Sequence, residues 1–278
     1  MAVKLLALDM DGTTLMNDHY TVSKRNQQAI KRAIAQGIEF VPATGRTITH
    51  LPKDILNLKN WRYAITSNGA FVYDRQQDKV IYSDFLDIHL VLQMIRELKK
   101  LELFFEVYIN GTSFIEKHYL EHAQRYHITE QSQLFLREKC NQIENIFDFL
   151  LKENIHVEKI FVPYIPDEIH PQVTQMFLQF PVALTSSVDT NIEVNNQTAN
   201  KGEALKYLAK QLQIIPDEIM AVGDSNNDYE MLEYAGISVA MGNGNEKVKK
   251  IAKFQTLSNE QDGVAHIIET LVLHCELE

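Results

Sequence analysis

The 278-residue chain is long enough for one large domain or two modest ones, and its 45% hydrophobic residues make burial of a core straightforward. Its 27 basic and 37 acidic residues give a formal charge of -10, which argues against a nucleic-acid binder and leaves any anionic substrate to be met by a few placed cations. The two cysteines, Cys140 and Cys275, offer neither a disulfide framework nor metal-ligand spacing; with a strand-like N-terminus and no apolar run near ~18 residues, a soluble cytoplasmic protein with no membrane partner is expected.

The stretch KLLALDMDGTTL, residues 4–15, begins as a buried strand and ends in two aspartates one residue apart. Residues i and i+2 of a strand share a side, so Asp9 and Asp11 are expected to project together. Their charges then repel unless a proton or a cation lies between them. Thr21-Val22-Ser23 supplies N-cap oxygens for a helix carrying Ala29, Ile30, Ala33 and Ile34 at helical spacing, and Gly37 stops it. A short strand at 38–41 runs out at Thr44-Gly45-Arg46, and another, in YAITSNGA, at Ser67-Asn68-Gly69. Strand, helix and strand in this rhythm predict βαβ units and a parallel sheet.

The middle of the chain, about 85–189, has a different grammar. Helices are expected over 88–100 and 143–152, and FFEVYINGTSFIEK reads as a hairpin about Asn110-Gly111. The last third returns to alternation: a helix in KGEALKYLAKQL, strand and turn in EIMAVGDSNND, a helix closed by Gly236, strand and turn in ISVAMGNG, a helix in NEKVKKIA, a strand at 254–257 and a helix after Asp262. The fold class is therefore α/β, a Rossmann-like parallel-sheet core over 1–84 and 190–278 with an inserted α+β unit over 85–189.

Ligands of open parallel sheets bind outside the carboxyl ends of the strands. Those ends carry Asp9 and Asp11, Thr44 and Gly45, Asn68, and Asp224, Asn227 and Asp228; Lys201 opens a helix, at an anion-attracting terminus. A carboxylate cluster without Cys or His neighbours suits a hard cation such as Mg²⁺, which also supplies positive charge for a phosphate. Lys201, Thr44 and backbone N–H groups are candidates for the remaining phosphate oxygens. One aspartate then serves as nucleophile toward phosphorus and the one two residues on as acid and base.

These residues form patterns. DMDGT at 9–13, Thr44-Gly45-Arg46, Lys201-Gly202 and GDSNND at 223–228 resemble the four motifs of the haloacid dehalogenase-like hydrolase superfamily, in order. VPATGR, TSNGA, AMGNG and NEQDGVA resemble its Cof-type subfamily, and the likeness spans 4–268. The resemblance implies that Asp9 is nucleophile and Mg²⁺ ligand, and that Asp11 is the acid/base and binds the metal through its backbone carbonyl. It implies Asp224 as a further metal ligand with Ser225 or Asp228 beside the ion. Phosphate would be held by Thr44, Gly45, Lys201, Asn227 and the Met10 backbone. The insert resembles the family's larger cap, which closes over the site and chooses the substrate. Where the family often has Pro-x-Gly before the lysine, this chain has NNQTANKG.

Simpler roles stand beside several of these. Asp228 either approaches the metal or only favours the first turn of a helix, Arg46 either steers anions or forms a surface ion pair, and Asn68 either contacts substrate or only shapes a turn. His118, His122 and His127 lack paired metal spacing and are read as solvated or packing residues. The function expected is a Mg²⁺-dependent phosphatase of small phosphorylated metabolites, sugar phosphates or similar, acting through an aspartyl phosphate on Asp9. The alternatives are a phosphomutase of the same superfamily and a non-catalytic phosphate or metal sensor. Nothing in the sequence sets the oligomeric state.

Overall fold

The structure, a computed structural model, describes residues 2–186 and 190–273, so Cys275 and the expected boundary residue Asp189 lie outside the described residues. The chain divides into two compact units. The first holds residues 2–46, 51–83 and 200–273, and the second 47–50, 84–186 and 190–199.

The first unit begins with β1 (Leu5–Asp9), α1 (Lys24–Ala35), β2 (Glu39–Ala43), α2 (Lys53–Leu56), β3 (Tyr63–Thr66), β4 (Phe71–Asp74) and β5 (Lys79–Ser83). The second contains α3 (Ile88–Lys100), β6 (Glu106–Ile109), β7 (Thr112–Glu116), α4 (Lys117–Glu121), α5 (Glu130–Lys139), β8 (Asn141–Ile143), α6 (Ile146–Leu150), β9 (Val157–Val162), α7 (His170–Phe177), β10 (Val182–Thr185) and β11 (Ile192–Asn196). The chain re-enters the first unit with α8 (Lys201–Leu212), β12 (Ile219–Gly223), α9 (Tyr229–Tyr234), β13 (Ile237–Ala240), α10 (Glu246–Ile251), β14 (Phe254–Gln255) and α11 (Gly263–Leu271).

In the first unit the strand order is β14-β13-β12-β1-β2-β3-β4-β5. The pairings from β14 through to β3 are parallel, and β4 and β5 are added antiparallel. β1 lies between two parallel neighbours and is buried along its whole length, which is why LLALD is a continuous apolar run rather than an alternating one. Ser23 caps α1 as expected, its hydroxyl accepting from the Asn26 N–H at 3.1 Å, and the helix buries Ala29, Ile30 and Ala33. No helix among the described residues is long and apolar enough to cross a membrane.

In the second unit the order is β10-β11-β9-β6-β7-β8. The Asn110-Gly111 turn joins β6 to β7, and α3 runs over the expected residues with Asp87 as its cap. One apolar face of this sheet, with Val107, Ile109, Ile160 and Val194, packs with α3 residues Val91, Met94, Ile95 and Leu98 into a separate core.

Four expectations change. The helix expected over 143–152 shrinks to α6, because Ile143 is the last residue of β8 and Asn145 caps the helix through bonds from the Phe147 and Asp148 N–H groups. The strand expected at 254–257 ends at Gln255. β4 and β5 extend the sheet beyond the expected parallel strands, and half-exposed β5 shows no strong apolar run. The return to the first unit comes at Asn200, not at 190, because β11 pairs with β9 and β10.

Candidate active site

Parallel pairing fixes which residues meet. Asp9 is the register partner of Ala43, Leu8 of Val222, and Gly223 of Ala240, so the chain leaves β1, β2 and β12 along one sheet edge. Asp9 ends β1, Thr44 follows β2, Ser67 and Asn68 follow β3, and Asp224 follows β12.

The Gly-Thr-Thr after the aspartates has a local reason. After Asp9 the chain enters a wide turn over Met10–Thr14, closed by the Thr14 hydroxyl on the Asp9 carbonyl at 2.6 Å and by the Leu15 N–H on the Met10 carbonyl at 2.9 Å. Gly12 sits at φ 76, and a Cβ there would lie 2.4 Å from Asp224 Oδ2. The left-handed backbone and the close carboxylate both require glycine. Thr13 donates its hydroxyl to Asp224 Oδ1 at 3.1 Å, tying this turn to the end of β12.

Extended geometry stops at Asp9, so the Asp9 and Asp11 carboxylates acquire different surroundings. The carboxylates that crowd Asp9 are those of Asp224 and Asp228, the three offering oxygens within 4.8 Å of one another. Lys201, the first residue of α8 and fully buried, lies between two of them: its Nζ is 2.6 Å from Asp9 Oδ1 and 2.7 Å from Asp228 Oδ1. Asp228 Oδ2 accepts from the Asp224 and Ser225 N–H groups at 2.9 and 3.0 Å. Asp228 thus acts as turn cap and lysine counterion together.

Were all three carboxylates ionised, one ammonium would leave two negative charges in a buried place, so the group resists full ionisation. Burial, then the Asp228 carboxylate, pushes Asp9 above the usual carboxylate range despite Lys201. The same two causes push Asp224 up to about 7. Burial alone would depress Lys201, but Asp228 and Asp9 outweigh it and hold the ammonium charged. Asp9 Oδ2 is buried and has no hydrogen-bond donor. An orphaned carboxylate oxygen inside an all-oxygen cluster whose members resist ionising together fits a hard divalent cation.

Asp11 is held elsewhere. Arg46 grips it with two bonds, Nε to Oδ2 at 2.7 Å and Nη2 to Oδ1 at 2.6 Å, and His19 Nδ1 lies 2.9 Å from Oδ1. Burial would raise its pKa, but the His19 bond and the Arg46 charge and bonds hold the carboxyl well below the usual range. Arg46 therefore pairs with Asp11 rather than forming a remote surface ion pair.

The remaining candidates form a hydrogen-bonded rim. Thr44 accepts at Oγ1 from the Arg46 N–H at 3.1 Å, with Gly45 half-buried between them. The Asn68 N–H donates to the Thr44 carbonyl at 3.0 Å and the Ser67 N–H to the Arg46 carbonyl at 2.9 Å. Asn227 accepts from the Ser225 hydroxyl at 2.7 Å and donates to Asn68 Oδ1 at 3.1 Å. Ser67 and Asn68 both have positive φ, and a Cβ on Gly69 would lie 2.1 Å from the Asn200 carbonyl oxygen, so Ser-Asn-Gly is a shape requirement against the start of α8. NNQTANKG reaches Lys201 through Asn200, whose side chain caps α8 by accepting from the Glu203 N–H at 2.8 Å.

Sequence reasoning missed Thr13 and His19. Thr13 lay inside a quoted motif, whereas nothing in the spacing of His19 signals its contact with Asp11.

A model of the haloacid dehalogenase-like hydrolase family matches residues 6–268. The chain belongs to this family. It is similar to the phosphatase YwpJ of Bacillus subtilis, with 30% identity over 97% of this chain and 100% of that protein. It is also similar to the 5-amino-6-(5-phospho-D-ribitylamino)uracil phosphatase YcsE of the same organism, 31% identical over 98% of this chain and 96% of that one. The solved structure of a haloacid dehalogenase-like hydrolase from B. subtilis superposes with a TM-score of 0.80 at 28% identity, covering 97% of this hydrolase and 100% of that chain.

Proposed function

We propose that this phosphoric monoester hydrolase is a Mg²⁺-dependent phosphatase of small phosphorylated metabolites, working through an aspartyl phosphate on Asp9. The observation that carries the reading is the Asp9 carboxylate itself: Lys201 fixes one oxygen, and no donor occupies the other. An Asp9 carboxylate oxygen attacks phosphorus, the bond to the leaving oxygen breaks, and Asp11, which first takes up a proton against the hold of His19 and Arg46, supplies it to that leaving oxygen. Asp11 then takes a proton from water as the water attacks the phosphorus, releasing inorganic phosphate and restoring Asp9.

Asp9, Asp224 and the Asp11 backbone carbonyl would hold the ion, with Ser225 and Asp228 beside it. Bound there, Mg²⁺ supplies positive charge to the phosphate oxygens and offsets the surrounding carboxylates. Two of the three N–H donors of Lys201 face Asp9 and Asp228, and the third is assigned to a phosphate oxygen. Thr44, Gly45, Asn227 and the Met10 N–H complete the phosphate seat. Arg46 and Asn68, read earlier as possible substrate contacts, are assigned here to holding Asp11 and Asn227.

The named substrate of YcsE, a phosphorylated ribityl compound, supports small polyol or sugar phosphates as the substrate class. The second unit is assigned the choice among them, and the cytoplasm is the compartment that fits such substrates. The test is phosphate release from a panel of phosphorylated metabolites, with Mg²⁺ and after chelation, by the wild type and Asp9→Asn. Activity is expected only for the wild type with metal. Full activity of Asp9→Asn overturns the nucleophile assignment, and isomerisation without free phosphate favours a mutase.

A further inference from the structure

We propose that His19 is a positioning residue for Asp11, closing with Arg46 a clasp that fixes the direction of the Asp11 carboxylate. The inference rests on the reading of Asp11 as the acid/base. Three contacts define the clasp: His19 Nδ1 to Asp11 Oδ1 at 2.9 Å, the two-pronged Arg46 grip on both Asp11 oxygens, and a bond from Arg46 Nη2 to the His19 carbonyl at 2.8 Å. Residue 19 therefore contacts both other members, one through its ring and one through its backbone.

The backbone supports a purpose for this contact. His19 lies at φ 62, a left-handed conformation that costs a non-glycine residue about 1–2 kcal/mol. Such strain persists where the surroundings over-determine it, and it gathers at functional sites. Here the surroundings are a closed loop. The His19 N–H donates to the Met16 carbonyl and the Met16 N–H to the Thr21 carbonyl, both at 2.9 Å. Asp18 Oδ1 accepts from the Tyr20 and Thr21 N–H groups at 2.9 and 2.8 Å. The His19 side chain is 59% exposed, so core packing does not direct it; the loop does.

A proton donor must point at the leaving oxygen, and a misplacement of about 1 Å is enough to cost about a hundredfold in rate. Loss of the imidazole contact leaves both Asp11 oxygens held by Arg46 alone and widens the spread of the carboxylate. The damage falls on substrates that need the proton. An alkyl phosphate leaves as a strongly basic alkoxide and depends on protonation, whereas p-nitrophenyl phosphate leaves as a weakly basic phenolate and depends on it little.

Two substitutions separate the contact from the strain. His19→Gly keeps the left-handed backbone and removes the ring, while His19→Asn tolerates the same backbone and keeps a donor near the position of Nδ1. With an alkyl phosphate metabolite that the enzyme turns over, His19→Gly is expected to lower kcat about tenfold with KM unchanged; with p-nitrophenyl phosphate the loss is under about twofold. His19→Asn is expected to recover most of the alkyl phosphate rate. Melting temperatures of both variants establish that each is folded. Asp11→Asn, run in parallel, is expected to show the same leaving-group dependence more strongly. If Asp11→Asn lowers both substrates equally, the acid role falls and the clasp with it. If Asp11→Asn discriminates but His19→Gly does not, or if Gly and Asn at position 19 behave alike, the clasp alone is overturned.

Discussion

Replacing Asp228 by Asn tests whether the buried triad of Asp9, Lys201 and Asp228 is part of the framework of the first unit. The substitution preserves shape and removes one charge. In the wild type one Asp228 oxygen meets the Lys201 ammonium at 2.7 Å, and the other takes two backbone N–H groups at 2.9 and 3.0 Å. An amide serves only one side. Turned one way, its NH₂ opposes the ammonium; turned the other, it opposes two buried N–H donors. Breaking a buried ion pair by removing one partner costs about 3–5 kcal/mol. Two features place this case at the lower end: Lys201 keeps Asp9 at 2.6 Å, and the repulsion that raises Asp9 and Asp224 is relieved. A loss of about 3 kcal/mol corresponds to a fall of roughly 6–12 °C in Tm. The assay is thermal unfolding followed by circular dichroism in EDTA, so that a change in metal affinity does not enter. A Tm within about 2 °C of the wild type refutes the reasoning, since Asp9 alone would then suffice for Lys201.

Gly12→Ala is expected to destabilise the protein by about 1–2 kcal/mol through its left-handed backbone. The new methyl also displaces Asp224, so phosphate release should fall about a hundredfold, as measured by initial rates at saturating Mg²⁺. In the second unit, burial pushes the Glu106 carboxyl from 4.5 up to about 7. Between these values the native state binds more protons than the unfolded chain, so stability declines as pH rises through that window, by an amount on the order of 3 kcal/mol. Urea unfolding at the two ends of the window should show this decline, and Glu106→Gln should flatten it; an unchanged slope in the variant assigns the decline to other groups.

Much of the fold was legible because periodicity and punctuation report local burial. The apolar run of β1, the Ser23 cap, the limits of α3 and the Asn110-Gly111 hairpin all follow from residues close in sequence. β5 was not legible, because a half-exposed strand at a sheet edge carries a weak alternation. Nor was the shortened α6, where Asn145 acts as a cap inside a stretch that otherwise has helical spacing.

The candidate site divides along the same line. The sequence by itself determined which residue types stand at the strand ends, since carboxylates, glycines and a lysine that interrupt apolar runs are visible without coordinates. Only the tertiary structure decided how they pair. Strand order brings Asp224 and Asp228 against Asp9, while the turn after β1 carries Asp11 away to Arg46 and His19. The physical reason is that charge pairing depends on distances of a few ångströms across strands and loops far apart in the chain, and spacing along one strand carries no record of them.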